Sequence, residues 1–156
     1  LRAISALPHS RLCRISRVYR SSPMGPTDQP HYLNAVARLA TCLMPLDLLD
    51  ALQQIERQQG RVRDEHWGPR TLDLDVLLYG DLELDHPRLQ LPHPGLTQRN
   101  FVLYPLAEVA DPKMRLPGDT DLDTLLTGCQ RGDLEMTDLA LGDGEPGRGE
   151  QSNDAR

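Results

Sequence analysis

Asp73 and Asp75 stand in the middle of "HWGPRTLDLDVLLYG", His66 to Gly80, a stretch that otherwise reads as a buried strand. Side chains alternate faces along a strand, so Leu72, Leu74, Val76 and Leu78 share an apolar face, while Thr71, Asp73, Asp75, Leu77 and Tyr79 share the other. The two carboxylates then stand side by side, about 6 to 7 Å apart at the backbone. Like charges held that close repel unless something positive lies between them. For a bare Asp-x-Asp, an edge strand with two solvated acids is the commoner outcome. The alternative is a site for a hard divalent cation such as Mg²⁺, which takes a carboxylate or two and completes its shell with water and phosphate oxygens.

The loop just before this segment adds positive charge. Arg61, Arg63 and Arg70 flank the only tryptophan, Trp67, and Gly68-Pro69 lead the last arginine into the acidic stretch. Planar guanidinium groups match phosphate oxygens two at a time. Arginines beside a metal-binding acid pair make a polyphosphate clamp, because phosphoryl transfer relies on charge neutralisation and positioning. A solvated basic loop is the ordinary alternative, and the acid pair so close by favours the clamp.

A second constellation lies in "YRSSPMGPTDQPHYLN". Tyr32 and Asn34 are two apart on one strand face, placing an aromatic plate beside an amide with two donors and an acceptor. That pairing suits a flat, nitrogen-rich heterocycle, although packing and turn chemistry use the same residues. The turn "SSPMGP" offers backbone groups to a ring edge, with close approach possible at Gly25. Phe101, the only phenylalanine, opens a helix after "TQRN" and can serve as an opposite plate or as a core residue.

The elements that must position these groups are legible in outline. "LCRISRVYR" and "YLNAVARLATCL" read as strands, and "PLDLLDALQQIERQQG" as an amphipathic helix with Pro45 at its start and Leu48, Leu49, Leu52 and Ile55 as its buried stripe. "RLQLPHPGLTQRN" is a Pro-punctuated loop, and "FVLYPLAEVA" and "TDLDTLLTGC" read as short helices, the first with Pro105 in its opening turn. Strands and helices interleave without a repeat, which predicts an α+β sandwich. Residues 1–140 form one domain on this reading, and the Gly-, Pro- and charge-rich 141–156 a disordered acidic tail.

Composition narrows the function classes. The 156 residues are 38% hydrophobic and 26% charged, enough to bury a core. A net charge of −6 argues against a nucleic-acid surface, which needs a basic stripe. Cys13, Cys42 and Cys129 lack paired spacing, so neither a disulfide frame nor a zinc site is expected. No apolar run approaches membrane-spanning length. A cytoplasmic monomer with small-molecule partners, no nucleic acid and no membrane contact is the expectation.

"GRVRDEHWGPRTLDLDVLLYG", "SSPMGPTDQPHYLNAV" and "LPHPGLTQRNFVLYPLAEVADP" together resemble the 6-hydroxymethyl-7,8-dihydropterin pyrophosphokinases of folate biosynthesis. The likeness runs from near the N-terminus to about Asp111, and "WGPRTLDLD" is its most specific motif. It implies a ferredoxin-like α+β sandwich, a mostly antiparallel sheet with helices packed on it, and transfer of diphosphate from ATP to the pterin hydroxymethyl group with release of AMP. Carried over by motif, Asp73 and Asp75 would hold two Mg²⁺ ions, with Arg61 and Arg70 catalytic beside them. The pterin would sit between Tyr32 and Phe101, with Asn34, Ser21, Ser22, Met24, Gly25 and Trp67 around it. ATP would meet Gln53, Glu56, Arg61, Arg63, Trp67, Arg70, Val76, Arg88, His93 and Arg99.

The chain departs from the family pattern in places. "RVRDEHWGPR" is about one residue shorter than usual, and Pro94 stands where an aromatic is common. The family's opening strand and Gly-Ser-Asn motif have no counterpart, so the domain is expected to be N-terminally incomplete, starting inside the first helix. Two other classes fit parts of the pattern. A two-metal nucleotidyltransferase would transfer AMP, and a non-catalytic pterin- or nucleotide-binding module would bind without magnesium or turnover.

Overall fold

A computed structural model describes residues 1–22, 31–60, 72–112, 114–139 and 141. The elements run α1 (Arg2–Ser5), β1 (Ser10–Ile15), β2 (Tyr19–Ser21), β3 (Tyr32–Asn34), β4 (Ala37–Thr41), α2 (Pro45–Gly60), β5 (Leu84–His86), β6 (Leu89–Leu91), α3 (Asn100–Val109), β7 (Arg115–Leu116), β8 (Thr120–Asp121), α4 (Leu122–Gly128) and β9 (Glu135–Met136). The class is α+β, and every strand pair is antiparallel. Among the described residues the ladders are β1-β4, β3-β2-β9, β5-β6 and β7-β8.

Each of the two long strand readings divides in two, at facing points. The Ser16 hydroxyl accepts from the Val36 N–H at 2.9 Å, and the Ser16 N–H donates to the Val36 carbonyl at 2.9 Å. A side-chain oxygen thus takes the place of a ladder carbonyl, which ends regular pairing while leaving no buried donor unmet. Before the break, Ser10 faces Thr41 and their hydroxyls lie 2.6 Å apart. After it, β2 runs between β3 and β9, with Tyr19 opposite both Asn34 and Met136.

The predicted amphipathic helix is α2. Pro45 is its first residue and Asp47 lies in its first turn, both suited to an N-terminus that exposes N–H groups. Leu48, Leu49, Leu52 and Ile55 are all buried, joined by Leu7, Val76, Leu89 and Leu91 in one core. A second core gathers on α3, where Val102, Leu103, Leu106 and Val109 meet Val36, Leu96, Leu116 and Leu122. Pro105 lies inside α3, beyond the opening turn expected for it, and is fully buried. It removes one donor from the helix, and its packing in the core offsets that loss.

The acidic segment differs from its reading as a strand. Residues 72–79 belong to no ladder among the described residues, and the two-residue alternation fails along them. Leu74, Val76 and Tyr79 join the α2 core, whereas Leu77 and Leu78 join the α3 core. Pleat geometry is enforced by pairing, so a stretch fixed by packing and isolated hydrogen bonds can turn neighbouring side chains the same way. The segment therefore bridges the two cores, with Asp73 and Asp75 exposed at its start.

Candidate active site

The first cleft, of 570 Å³, opens between the end of β2 and the start of α3. Ser21, Ser22, Arg99 and Phe101 line it; the resemblance assigns the first two and Phe101 to the pterin and Arg99 to ATP. Tyr32 lies opposite Ser21 on β3, and the Asn34 amide donates to the Ser21 hydroxyl at 2.9 Å. Neither Tyr32 nor Asn34 reaches the cleft lining itself; Tyr32 is 53% exposed on the adjoining strand. Met24, Gly25, Arg61, Arg63, Trp67 and Arg70 lie outside the described residues.

Arg99, which the resemblance assigns to ATP, lines this cleft next to Phe101. Its guanidinium lies 5.8 Å from the centre of the Phe101 ring, a cation–π distance. Glycine at 95 makes room for it, because a Cβ there would come within 2.6 Å of the Arg99 Nε. The far wall comes from a part of the chain that no motif singled out. Thr124, Gly128, Gln130 and Asp133 line it, the Asn100 amide donates to the Arg131 carbonyl at 2.7 Å, and the Ser22 N–H donates to Asp133 at 3.2 Å. Hydrogen bonding from Ser22 holds the Asp133 carboxyl below the usual aspartate range. A polar turn such as "CQRGDLEM" has no periodicity to mark it, and the pairing of β9 with β2 that brings it there has no local signature.

A second, smaller cleft of 270 Å³ brings together Asp75, Val76, Arg88 and His93, four residues that the sequence assigned to metal or nucleotide. His93 Nε2 lies 4.0 Å from an Asp75 oxygen, while His93 Nδ1 accepts from the Gly95 N–H at 3.0 Å. A ring nitrogen that accepts carries no proton, so in the neutral imidazole the proton is on Nε2, on the side of Asp75. The His93 N–H donates to the Leu77 carbonyl at 2.9 Å, fastening this loop to the acidic segment. Arg88 is ion-paired to Asp50 of α2, which raises its guanidinium pKa further. Gln53 and Glu56 lie on α2, outside both cleft linings, and the Glu56 carboxylate accepts from the Leu74 N–H at 2.6 Å.

The donor set suits a hard cation. Asp73 and Asp75 offer exposed carboxylate oxygens, and among the described residues no group of three or more His, Cys, Asp or Glu could close around an ion. Two carboxylates of this kind match Mg²⁺, which keeps several waters and fills its shell with substrate phosphates. Among those residues there is likewise no helix long and apolar enough to cross a membrane.

The family model described as 7,8-dihydro-6-hydroxymethylpterin-pyrophosphokinase matches residues 1–111. A 2-amino-4-hydroxy-6-hydroxymethyldihydropteridine pyrophosphokinase of Pseudomonas aeruginosa is 57% identical over 129 residues, covering 83% of this chain and 79% of the relative. The enzyme of that name from Haemophilus influenzae is 54% identical over 110 residues, 70% of this chain and 69% of its own. That from Bacillus subtilis is 42% identical over 113 residues, 70% and 68% respectively. The family model covers residues 1–111 of the 156, and these relatives are 42% to 57% identical, so the chain belongs to the 7,8-dihydro-6-hydroxymethylpterin-pyrophosphokinase family.

Proposed function

We propose that the chain transfers the terminal diphosphate of ATP to the hydroxyl of 6-hydroxymethyl-7,8-dihydropterin, releasing AMP, as a step of folate biosynthesis. The pterin hydroxyl oxygen forms a bond to the β-phosphorus and gives up its proton to solvent. The bond from that phosphorus to the α–β bridging oxygen breaks, and the oxygen leaves with AMP. The observation that carries this reading is the small cleft where Asp75, Val76, Arg88 and His93 converge next to the Asp73–Asp75 stretch.

Ser21, Ser22 and Phe101 form the walls that receive the pterin, with Asn34 fixing Ser21 and Tyr32 as the neighbouring plate. Met24, Gly25 and Trp67 complete that pocket in this proposal. Asp73 and Asp75 hold Mg²⁺, which supplies charge neutralisation across the phosphates when bound. His93 and Arg88 approach the nucleotide from the small cleft; Gln53 and Val76 flank it. Arg99 bridges the two substrates from the loop they share. Arg61, Arg63 and Arg70 stabilise charge that develops on the transferred group. The acidic net charge of −6 fits a monomer working on small molecules in the cytoplasm, with no role for nucleic acid.

Incubation with ATP, Mg²⁺ and the hydroxymethyl pterin, followed by chromatography, tests this. Equimolar AMP and pterin diphosphate are expected, and omission of magnesium abolishes both. ADP as product would overturn diphosphate transfer. A pterin–AMP adduct with free pyrophosphate would identify a nucleotidyltransferase, and magnesium-independent binding without turnover a binding module.

A further inference from the structure

Asp73 and Asp75 stand on a stretch that belongs to no ladder among the described residues, and isolated hydrogen bonds tie that stretch to its surroundings. Tyr79 donates its hydroxyl to the Leu43 carbonyl at 2.5 Å, and the Leu77 carbonyl accepts from the His93 N–H at 2.9 Å. Both bonds lie beyond the acid pair. Glu56 acts within it: its carboxylate takes the N–H of Leu74, the residue between the two aspartates, at 2.6 Å.

Glu56 is well placed for such a hold. It follows Ile55 on α2 and lies four residues beyond Leu52, both buried in the core under the acidic segment, so its backbone is rigidly seated. Val76, two residues past Leu74, packs into that same core. Fixing the Leu74 N–H sets the plane of the Asp73–Leu74 peptide, and with it the direction in which Asp73 leaves the chain and the point from which the backbone continues to Asp75.

We infer that Glu56 is a positioning residue for the acid pair, acting through the Leu74 backbone. This rests on the proposed metal-holding role of Asp73 and Asp75. What Glu56 must supply is an acceptor oxygen in the right place, which glutamine also carries.

The test compares the wild type with Glu56→Gln and Glu56→Ala in the full chain, by amide hydrogen exchange at Leu74 and by steady-state kinetics. Leu74 exchange should be slow in the wild type and in Glu56→Gln, and faster in Glu56→Ala while amides of α3 are unchanged. Loss of alignment predicts a kcat about 10- to 100-fold lower in Glu56→Ala, with a higher Mg²⁺ requirement and pterin KM within about twofold. Glu56→Gln should stay within about threefold of the wild type. Equal damage in Glu56→Gln would show that the charge itself matters and overturn the inference, as would Leu74 exchange that ignores both substitutions. If the wild type released no AMP, the proposed reaction would fall, whereas the exchange data would still decide whether Glu56 holds Leu74.

Discussion

Replacing Glu108 by alanine should loosen the wall between the first cleft and the core. The Glu108 carboxylate on α3 accepts from the Tyr19 hydroxyl, from Arg17 Nε at 3.0 Å and from the Arg17 N–H at 2.9 Å. Tyr19 begins β2, the strand that ends at Ser21, and α3 begins one residue before Phe101, so the cluster clamps the two sides of the first cleft. Arg17 is exposed and turns to water when the carboxylate is lost. Tyr19 is only 5% exposed, and its hydroxyl would be left without its acceptor. An unmet buried donor costs about 1 to 3 kcal/mol, so a loss of about 2 kcal/mol is expected. For a domain of this size that lowers Tm by roughly 4 to 8 °C. Tyr19→Phe removes the orphaned hydroxyl, so the double variant should be more stable than the sum of the single losses predicts, by about 1 kcal/mol. Burial pushes the Glu108 carboxyl upward, but hydrogen bonds from Tyr19 and Arg17 outweigh it and its pKa falls below the usual 4.5. Its contribution is therefore complete above 4.5 and fades as the pH drops through the lower folded value, and the gap between wild type and Glu108→Ala should narrow there. Urea melts across that range measure it. A change below about 0.5 kcal/mol at pH 7, or strict additivity with Tyr19→Phe, would refute the clamp.

Three further outcomes follow from the site and core. Asp75→Asn should cut AMP release at least about 100-fold, with thermal stability within about 0.5 kcal/mol because the side chain is exposed; kinetics beside melting curves check both. Gly95→Ala should drive Arg99 off the Phe101 ring, since its Cβ meets the guanidinium at 2.6 Å, and raise the KM for at least one substrate about 3- to 10-fold, whereas Gly95→Ala combined with Arg99→Ala should add little to Arg99→Ala alone. Leu103→Ala, at a position with 0% exposure in the α3 core, should cost about 2 to 5 kcal/mol in denaturant melts while leaving the clefts' polar groups unchanged.

What could be read from the residues was whatever is encoded locally. The helix α2 announced itself through Pro45 and a stripe at helical spacing, because burying that stripe is what stabilises it. The cluster of Asp75, Val76, Arg88 and His93 was legible through motif, although only folding shows that residues from 75 to 93 close on one cleft. The strand reading of residues 72–79 failed on the feature that sequence carries least well: alternation needs a paired neighbour, and pairing is a long-range property. The same limit hid Asp133, which joins the first cleft only because β9 pairs with β2 from more than a hundred residues away. Ser16 was missed for a different reason, as a hydroxyl that replaces one backbone acceptor looks like any strand serine.

The two clefts share a single short connection, and its construction explains how they can be kept in register. His93 faces Asp75 in one, and Arg99 and Phe101 line the other. Between them the chain folds back on itself: the Leu96 N–H donates to the His93 carbonyl at 2.9 Å, and the Gly95 N–H holds the His93 ring. Leu96, with 0% exposure, is sunk into the α3 core, while the His93 N–H is bonded to Leu77 on the acidic segment. A loop pinned by a fully buried leucine and by backbone bonds at its start has few alternative conformations, so little entropy remains to be lost when substrates bind. Moving a diphosphate between two bound molecules requires the hydroxyl and the β-phosphorus to be held within a few tenths of an ångström of their reacting geometry. In the proposed reaction, anchoring both clefts to one short, pinned connector would meet that demand.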